Sequence, residues 1–234
     1  MIPGLRDEVA EAANVMARLG LVTAYGHVSA RAGESMLITP AADLARVTGS
    51  GVIEVPLEAV PPEEGGALPA GAPAEAWAHL ALYRARPDAA AIARAQPASA
   101  FAVTAVVSSM VPLHGQAAWL GESVPVHDAA VLLRSPEQAE RAASCLPAGE
   151  ALLLRGNGAL TLGAAPGLAV ARMWLLAAAC DVYLAARAAA GASPVIPLSA
   201  GETASWRAVG GELLPRLWQH LRHRPGAGPG EEQG

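Results

Sequence analysis

The chain has 234 residues, 53% of them hydrophobic and 16% charged, which is enough for one sizeable domain with a full core. Its formal net charge of −5 gives no electrostatic reason to expect nucleic acid or an anionic membrane as partner. All 16 residues counted as Lys or Arg are Arg, so a lysine Schiff base, pyridoxal-phosphate chemistry and a Walker-type phosphate loop are excluded.

No uninterrupted apolar run reaches the ~18–20 residues that a bilayer span needs. The opening MIPGLRDEVAEAA is acidic where a signal peptide is basic and then apolar, so a cytoplasmic location is expected. Cys145 and Cys180 lack metal-like spacing and read as reduced thiols.

Leu5, Val9, Ala12, Met16 and Leu19 form one apolar stripe on a helix that opens near Pro3 and stops at Gly20. Gly26 then allows a bend, and residues 27–31 read as a strand with His27, Ser29 and Arg31 on one face. Short strands follow at 36–39 and 52–57, and 61–73 is loop by composition. Residues 74–97, AEAWAHLALYRARPDAAAIARAQP, predict a helix, a stop at Arg86-Pro87-Asp88 and a buried strand. Glu75 and His79 share a helix face, and Arg94 and Gln96 leave the strand on one side. A helix is expected from Pro97 to about Val107, and an edge strand at 123–126, where Pro125 removes a ladder donor. His114 and His127 fall in irregular segments and gain no role.

Ser135-Pro136-Glu137 is a strong helix start, with a capping hydroxyl, Pro at the first position and an acid in the first turn. Residues 150–163, EALLLRGNGALTLG, predict two strands around a Gly-Asn-Gly turn that needs positive φ. A long apolar helix from 166 to about 190 follows. A last helix from 202 to about 223 is expected to kink or divide at Pro215. The domain is expected to span 1–223, with a disordered tail at 224–234. Strands and helices mix within one domain, so the class is α/β.

LGLVTAYGHVSAR with the helix before it, LITP at 37–40, AEAWAHLALYRARPD at 74–88 and LLLRGNGALTLG at 152–163 together resemble the class II aldolase/adducin domain family. E-x-x-x-H-L-A-x-Y-R-A-R-P-D is the most specific part. The resemblance implies a three-layer α/β/α domain with a largely antiparallel central sheet. It also implies a homotetramer with its active site near a subunit interface, to which residues 206–223 are the expected contributor. Sugar-phosphate enzymes of the family hold a divalent metal, usually zinc, with an H-x-H after R-P-D and a third His from an R-x-H-G turn. A glutamate ahead of H-L-A-x-Y is their acid/base.

This sequence departs from that pattern at each metal position. The H-x-H falls on Arg94-Ala95-Gln96 and the turn histidine on Asn157, while the glutamate is kept as Glu75. A guanidinium repels a metal, and the remaining oxygen donors suit zinc poorly, so no metal or other cofactor is expected. The phosphate pocket is altered as well, to Gly26-His27-Val28-Ser29, Thr39-Pro40-Ala41-Ala42 and Ala72-Pro73-Ala74-Glu75, which argues against a sugar phosphate. G-H-V-S-x-R resembles the decarboxylase-type branch of the family.

Two readings stay open. In the first, the chain is a metal-independent carbon–carbon lyase, a decarboxylase or retro-aldolase, for a small hydroxylated carboxylate. Glu75 and Arg94 would be catalytic, and His27, Ser29, Gln96 and Asn157 would bind substrate. In the second, the chain is a non-catalytic, adducin-like binding or oligomerisation module. Within the polar cluster, Arg94 is either a fixed cation for substrate or one half of an internal salt bridge with Glu75.

Overall fold

In the computed structural model, which describes residues 3–61 and 66–225, the alternating runs assemble into one eight-stranded sheet. In chain order the strands are β1 (His27–Ala32), β2 (Ser35–Ile38), β3 (Ile53–Pro56), β4 (Ala91–Ala95), β5 (Ser109–Met110), β6 (Val124–His127), β7 (Ala151–Leu154) and β8 (Gly158–Gly163). They lie in the order β3-β2-β1-β4-β8-β7-β6-β5, and only β6 and β7 run parallel. The α-helices are α1 (Pro3–Arg18), α2 (Ala76–Ala85), α3 (Ala98–Thr104), α4 (Pro136–Ser144), α5 (Pro166–Ala190) and α6 (Ala200–His223).

Side-chain alternation gives the sheet two different faces. Met36, Ile38, Ile92, Leu152, Leu160 and Leu162 form one face with Trp77, Leu80, Ala139 and Leu146 of the α2 and α4 layer. Ala91, Ala93, Ala95, Ala151 and Ala159 populate the other, against α1, α3 and α5. These small residues let α5 lie close to the sheet: a Cβ at Gly163 would come 2.4 Å from the Ala169 nitrogen. Val170, Met173 and Leu176 of α5 are fully buried there, each contributing about 1.5–3 kcal/mol of apolar burial. The result is the three-layer α/β/α domain with a largely antiparallel sheet.

Several sequence expectations need correction. Helix α5, of 25 residues, is long and apolar enough by composition to cross a membrane, although no single apolar run announces it. In the fold it is the central core helix. Strand β6 is not at the edge, since the two-residue β5 lies outside it. Pro125 is tolerated because pairing with β7 begins one residue later, at Val126. Helix α3 stops at Thr104, short of Val107. Helix α6 runs through Pro215 undivided, because Gly210 against Trp119 and the buried Leu214 and Leu221 hold it on both sides of the proline. The tail expected at 224–234 lies, from residue 226 onward, outside the described residues.

Candidate active site

The site is built where the ends of β1, β4 and the β7–β8 turn meet. His27 opens β1 directly opposite Arg94 of β4, so both side chains leave the same sheet face. Gly26 makes this approach possible: a Cβ there would lie 2.5 Å from Val22 Cγ1 and 3.0 Å from the Arg94 carbonyl oxygen. The turn after β7 makes a second close approach. Gly158 has φ +89°, and a Cβ on it would lie 2.2 Å from the Ala95 carbonyl oxygen. Asn157 is thereby laid over the end of β4.

The expected convergence of Arg94, Gln96 and Asn157 is realised. Arg94 Nη2 donates to Asn157 Oδ1 at 2.6 Å and to the Asn157 carbonyl at 3.3 Å. Gln96 Nε2 donates to the same Oδ1 at 3.3 Å. Asn157 Nδ2 donates in turn to the Val131 carbonyl at 2.9 Å, which ties the segment between β6 and α4 to the cluster.

The internal salt bridge between Arg94 and Glu75 does not form. Glu75, at the N-terminal cap of α2, instead pairs with Arg134, with Nε 3.2 Å from Oε1. Arg94 is only 4% exposed, and among the described residues no carboxylate lies within ion-pair distance of it. Burial pulls its pKa below the ordinary guanidinium value; the Glu75 carboxylate opposes this and Arg134 adds to it. A guanidinium starts so high that it stays charged at neutral pH. The buried cation is therefore balanced only by amide dipoles and by a carboxylate farther off.

Arg94, Gln96, His27, Glu75, Leu132 and Arg134, with Tyr25, line a cavity of about 280 Å³. A neighbouring cavity of about 510 Å³ shares His27, Glu75 and Arg134 and is walled by Ala41, Ala42, Asp43 and Ala74. That second wall carries an acid and alanines at the altered phosphate-pocket positions, a poor cradle for a phosphate.

His27 lines both cavities, and its Nδ1 is buried without a partner among the described residues. Burial, and then the Arg94 charge, push its pKa down to about 3, so it is a neutral ring at physiological pH. Ser29, expected to touch substrate, does not reach the cavity. It is fully buried, with Oγ 2.7 Å from His79 Nδ1 and 2.9 Å from Tyr83 Oη. Strand alternation correctly gave its face, but α2 covers that face one pleat below His27. Burial likewise holds His79 neutral, with its pKa well below the ordinary histidine value.

The arginines of the R-A-R-P-D run are structural. Arg84 donates to the Leu57 carbonyl, and Arg86 clasps Asp88 through Nε (2.8 Å) and Nη2 (2.7 Å) while Nη1 reaches the Gly149 carbonyl at 2.8 Å. Arg31 stacks on Tyr83, 4.8 Å from its ring centre. Sequence reasoning missed Arg134, Tyr25 and Leu132. For Arg134 one signal was available: an arginine immediately ahead of the Ser135 helix cap, at the end of a segment returning from the sheet.

The donor set at Arg94, Gln96 and Asn157 does not fit a zinc ion. Its central member is a permanent cation, and the amide oxygen best placed to ligate already accepts two hydrogen bonds. Among the described residues, no group of three or more His, Cys, Asp or Glu has a metal-holding arrangement.

Comparison with known proteins places this architecture. The model of the class II aldolase and adducin N-terminal domain matches residues 7–184. Alpha-adducin of Rattus norvegicus is 29% identical over 172 residues, which are 71% of this chain but 23% of that protein, so this chain spans about a quarter of its length. The structure of l-fuculose-1-phosphate aldolase from Thermus thermophilus is similar at a TM-score of 0.72 and 31% identity, covering 83% of this chain and 100% of that one. An aldolase II superfamily protein from Pseudomonas syringae, 23% identical, shares the fold at a TM-score of 0.74 over 94% of this chain and 90% of its own. The chain belongs to the class II aldolase and adducin N-terminal domain family.

Proposed function

We propose that the chain is a carbon–carbon lyase acting on a small hydroxylated carboxylate, with the Arg94 guanidinium doing the electrostatic work of the family's metal. One observation carries this reading: Arg94 lines an open cavity, is buried, and among the described residues has no carboxylate within ion-pair distance. A carboxylate on that guanidinium relieves the cost of burying the charge and orients the ligand. Asn157 holds the guanidinium through Nη2, Gln96 steadies the same Asn157 oxygen, and the neutral His27 ring forms a wall that can accept or donate one hydrogen bond.

Glu75 is the proton carrier. In a retro-aldol step on a substrate that carries, besides its carboxylate, a ketone β to the hydroxyl, it takes the proton of the substrate hydroxyl, and the bond between the carbinol carbon and the carbon next to the ketone breaks. The electron pair becomes an enolate whose oxygen lies beside Arg94. Glu75 then returns the proton to carbon, so atoms and charge balance. Decarboxylation uses the same sink when the departing carboxylate lies β to such a ketone, with carbon dioxide as the leaving group and a proton delivered to the enolate carbon.

The test is turnover of a panel of hydroxy-carboxylates in excess chelator, followed by released carbonyl compound or carbon dioxide. The expected result is chelator-resistant activity that falls about 10²–10³-fold in Arg94→Ala while the protein stays folded. Activity that appears only with added zinc or manganese overturns the metal-independent reading.

The similarity to alpha-adducin supports a second reading, a non-catalytic binding or assembly module. Thermal stabilisation by small hydroxy-carboxylates that disappears in Arg94→Ala counts against a purely assembling role.

A further inference from the structure

The β7–β8 hairpin meets an arginine at each of its ends. At the closed end Arg94 donates to Asn157, in the turn. Leu162, at the open end, is five residues on from Asn157, roughly 16 Å along an extended strand. There Arg172 of α5 donates from Nη1 to the Leu162 carbonyl at 2.8 Å. The same nitrogen lies 3.2 Å from Oε2 of Glu150, the residue just before β7. Arg172 is thus held through Nη1, with its side chain 18% exposed. Its Nε is sealed without a partner, and among the described residues Nη2 has none either.

Beside this guanidinium lies a cavity of about 150 Å³, lined by Trp119, Glu150, Arg172, Arg207, Gly210 and Gly211. It exists because α6 presents two glycines there. Gly210 lets the helix press on Trp119, where a Cβ would lie 2.9 Å from Cδ1, and a Cβ at Gly211 would meet no atom within 4 Å. Arg207, one turn earlier on α6, is exposed, and among the described residues no carboxylate lies within ion-pair distance of it. Two guanidiniums therefore face one carboxylate. Arg172 registers the imbalance: burial pulls its pKa down, Glu150 opposes this, and the Arg207 and Arg86 charges lower it further. The Trp119 indole N–H is already given to the Trp206 carbonyl at 2.8 Å. The side-chain donors left for a ligand are those of the two arginines.

We infer that Arg172 and Arg207, with Glu150 and Trp119, form a second ligand site, for a small oxyanion such as phosphate, separate from the Arg94 cavity. Its volume of about 150 Å³ is that of about five water molecules, enough for one oxyanion with part of its hydration. The anion accepts charge-assisted hydrogen bonds from Arg172 Nη2 and from the Arg207 guanidinium, and it offsets the surplus positive charge. Glu150 is the counterweight: it keeps Arg172 in place and competes with the ligand for it. Because Arg172 belongs to α5 and Arg207 to α6, a bound anion ties the C-terminal helix to the core helix.

The probe is inorganic phosphate, titrated into the full chain at an ionic strength matched with sodium chloride, since unspecific attraction is screened by any salt. The measurement is made in Arg94→Ala, which removes the other cationic cavity. Phosphate should raise Tm beyond the chloride control, and isothermal titration should show one ion bound per chain. In the Arg94→Ala background, Arg207→Ala should weaken binding about tenfold or more, and Arg207→Lys should restore part of it. Glu150→Gln should tighten binding, because the internal competitor for Arg172 is gone. Phosphate should also change the tryptophan emission, and that change should be lost in Trp119→Phe, which locates the ion. Arg207 is exposed, so an unchanged Tm without phosphate will show that its replacement leaves the fold intact. Equal binding with and without Arg207, or a Tm rise no greater than that from chloride, overturns the site. So does complete loss of phosphate binding in Arg94→Ala alone, which would assign the ion to the other cavity.

Discussion

Two polar clusters share one face of the same sheet and are built for different ends. The deeper one joins Ser29 to His79 and Tyr83; all three side chains are at most 1% exposed, and none carries charge. The shallower one joins Arg94 to Asn157 and Gln96, carries a full positive charge, and opens into a cavity. The first bonds within the chain and clamps α2 to β1, with His79 Nε2 left buried without a partner among the described residues. The second keeps electrostatic capacity that the chain itself does not use. Depth along a strand, more than residue type, separates a structural polar group from one available to ligand.

The largest predicted effect sharpens this comparison through pH. His27 stands at the boundary between the clusters, with its pKa taken from 6.5 down to about 3 by burial and then by Arg94. The unfolded chain takes up the proton near 6.5, while the folded chain resists until about 3. Its neutral burial therefore supports the fold fully above the unfolded value. That support is lost progressively as pH falls through the window toward the folded value. The loss from this group is on the order of 4 kcal/mol by the bottom of the window. His79 is shifted in the same direction and adds to it. Urea unfolding between pH 7 and 4 should show a steep loss of stability that His27→Gln flattens. A profile without slope in that range would break the account of both histidines.

A smaller effect separates the clusters directly. Ser29→Ala leaves His79 Nδ1 and Tyr83 Oη without their shared partner in a sealed site, at a cost of about 1–3 kcal/mol. Arg94→Met should cost little stability or none, since it removes a buried cation with no carboxylate against it. Thermal melts are the measurement, with each kcal/mol moving Tm by about 2–4 °C in a chain of this size. A large drop in Arg94→Met would make the guanidinium a structural member of the fold.

The sequence carried the local terms well and the long-range ones poorly. Gly-Asn-Gly announced its turn, because Gly156 and Gly158 both need positive φ. Ser135 announced its helix, and its Oγ accepts from the Gln138 nitrogen. Two-residue alternation placed Arg94 and Gln96 on one side of β4, where both now meet Asn157. What alternation lacks is depth, so Ser29 and His27 looked equivalent although only His27 reaches the cavity. The partner of Glu75 was hidden for another reason. Arg134 is 59 residues away in a segment without regular structure, and its position depends on Leu133 and on the Asn157 bond, which exist only once the sheet has formed.

The smallest predicted effect is at Gln96. Its amide is half-buried and bonds Asn157 Oδ1 at 3.3 Å, the longer of the two side-chain bonds on that oxygen. Gln96→Leu leaves the Arg94 bond at 2.6 Å in place, so Asn157 keeps its orientation and the Val131 carbonyl keeps its donor. A net hydrogen bond of this kind is worth about 0.5–1.5 kcal/mol, and a position open to water belongs at the lower end. Tm should therefore change by no more than about 2 °C. Carboxylate binding measured by titration should weaken only slightly, since the charge that attracts the ligand remains. A loss of stability as large as that of Ser29→Ala would mean that the open cluster is held as tightly as the sealed one, and the cavity floor would then be part of the core.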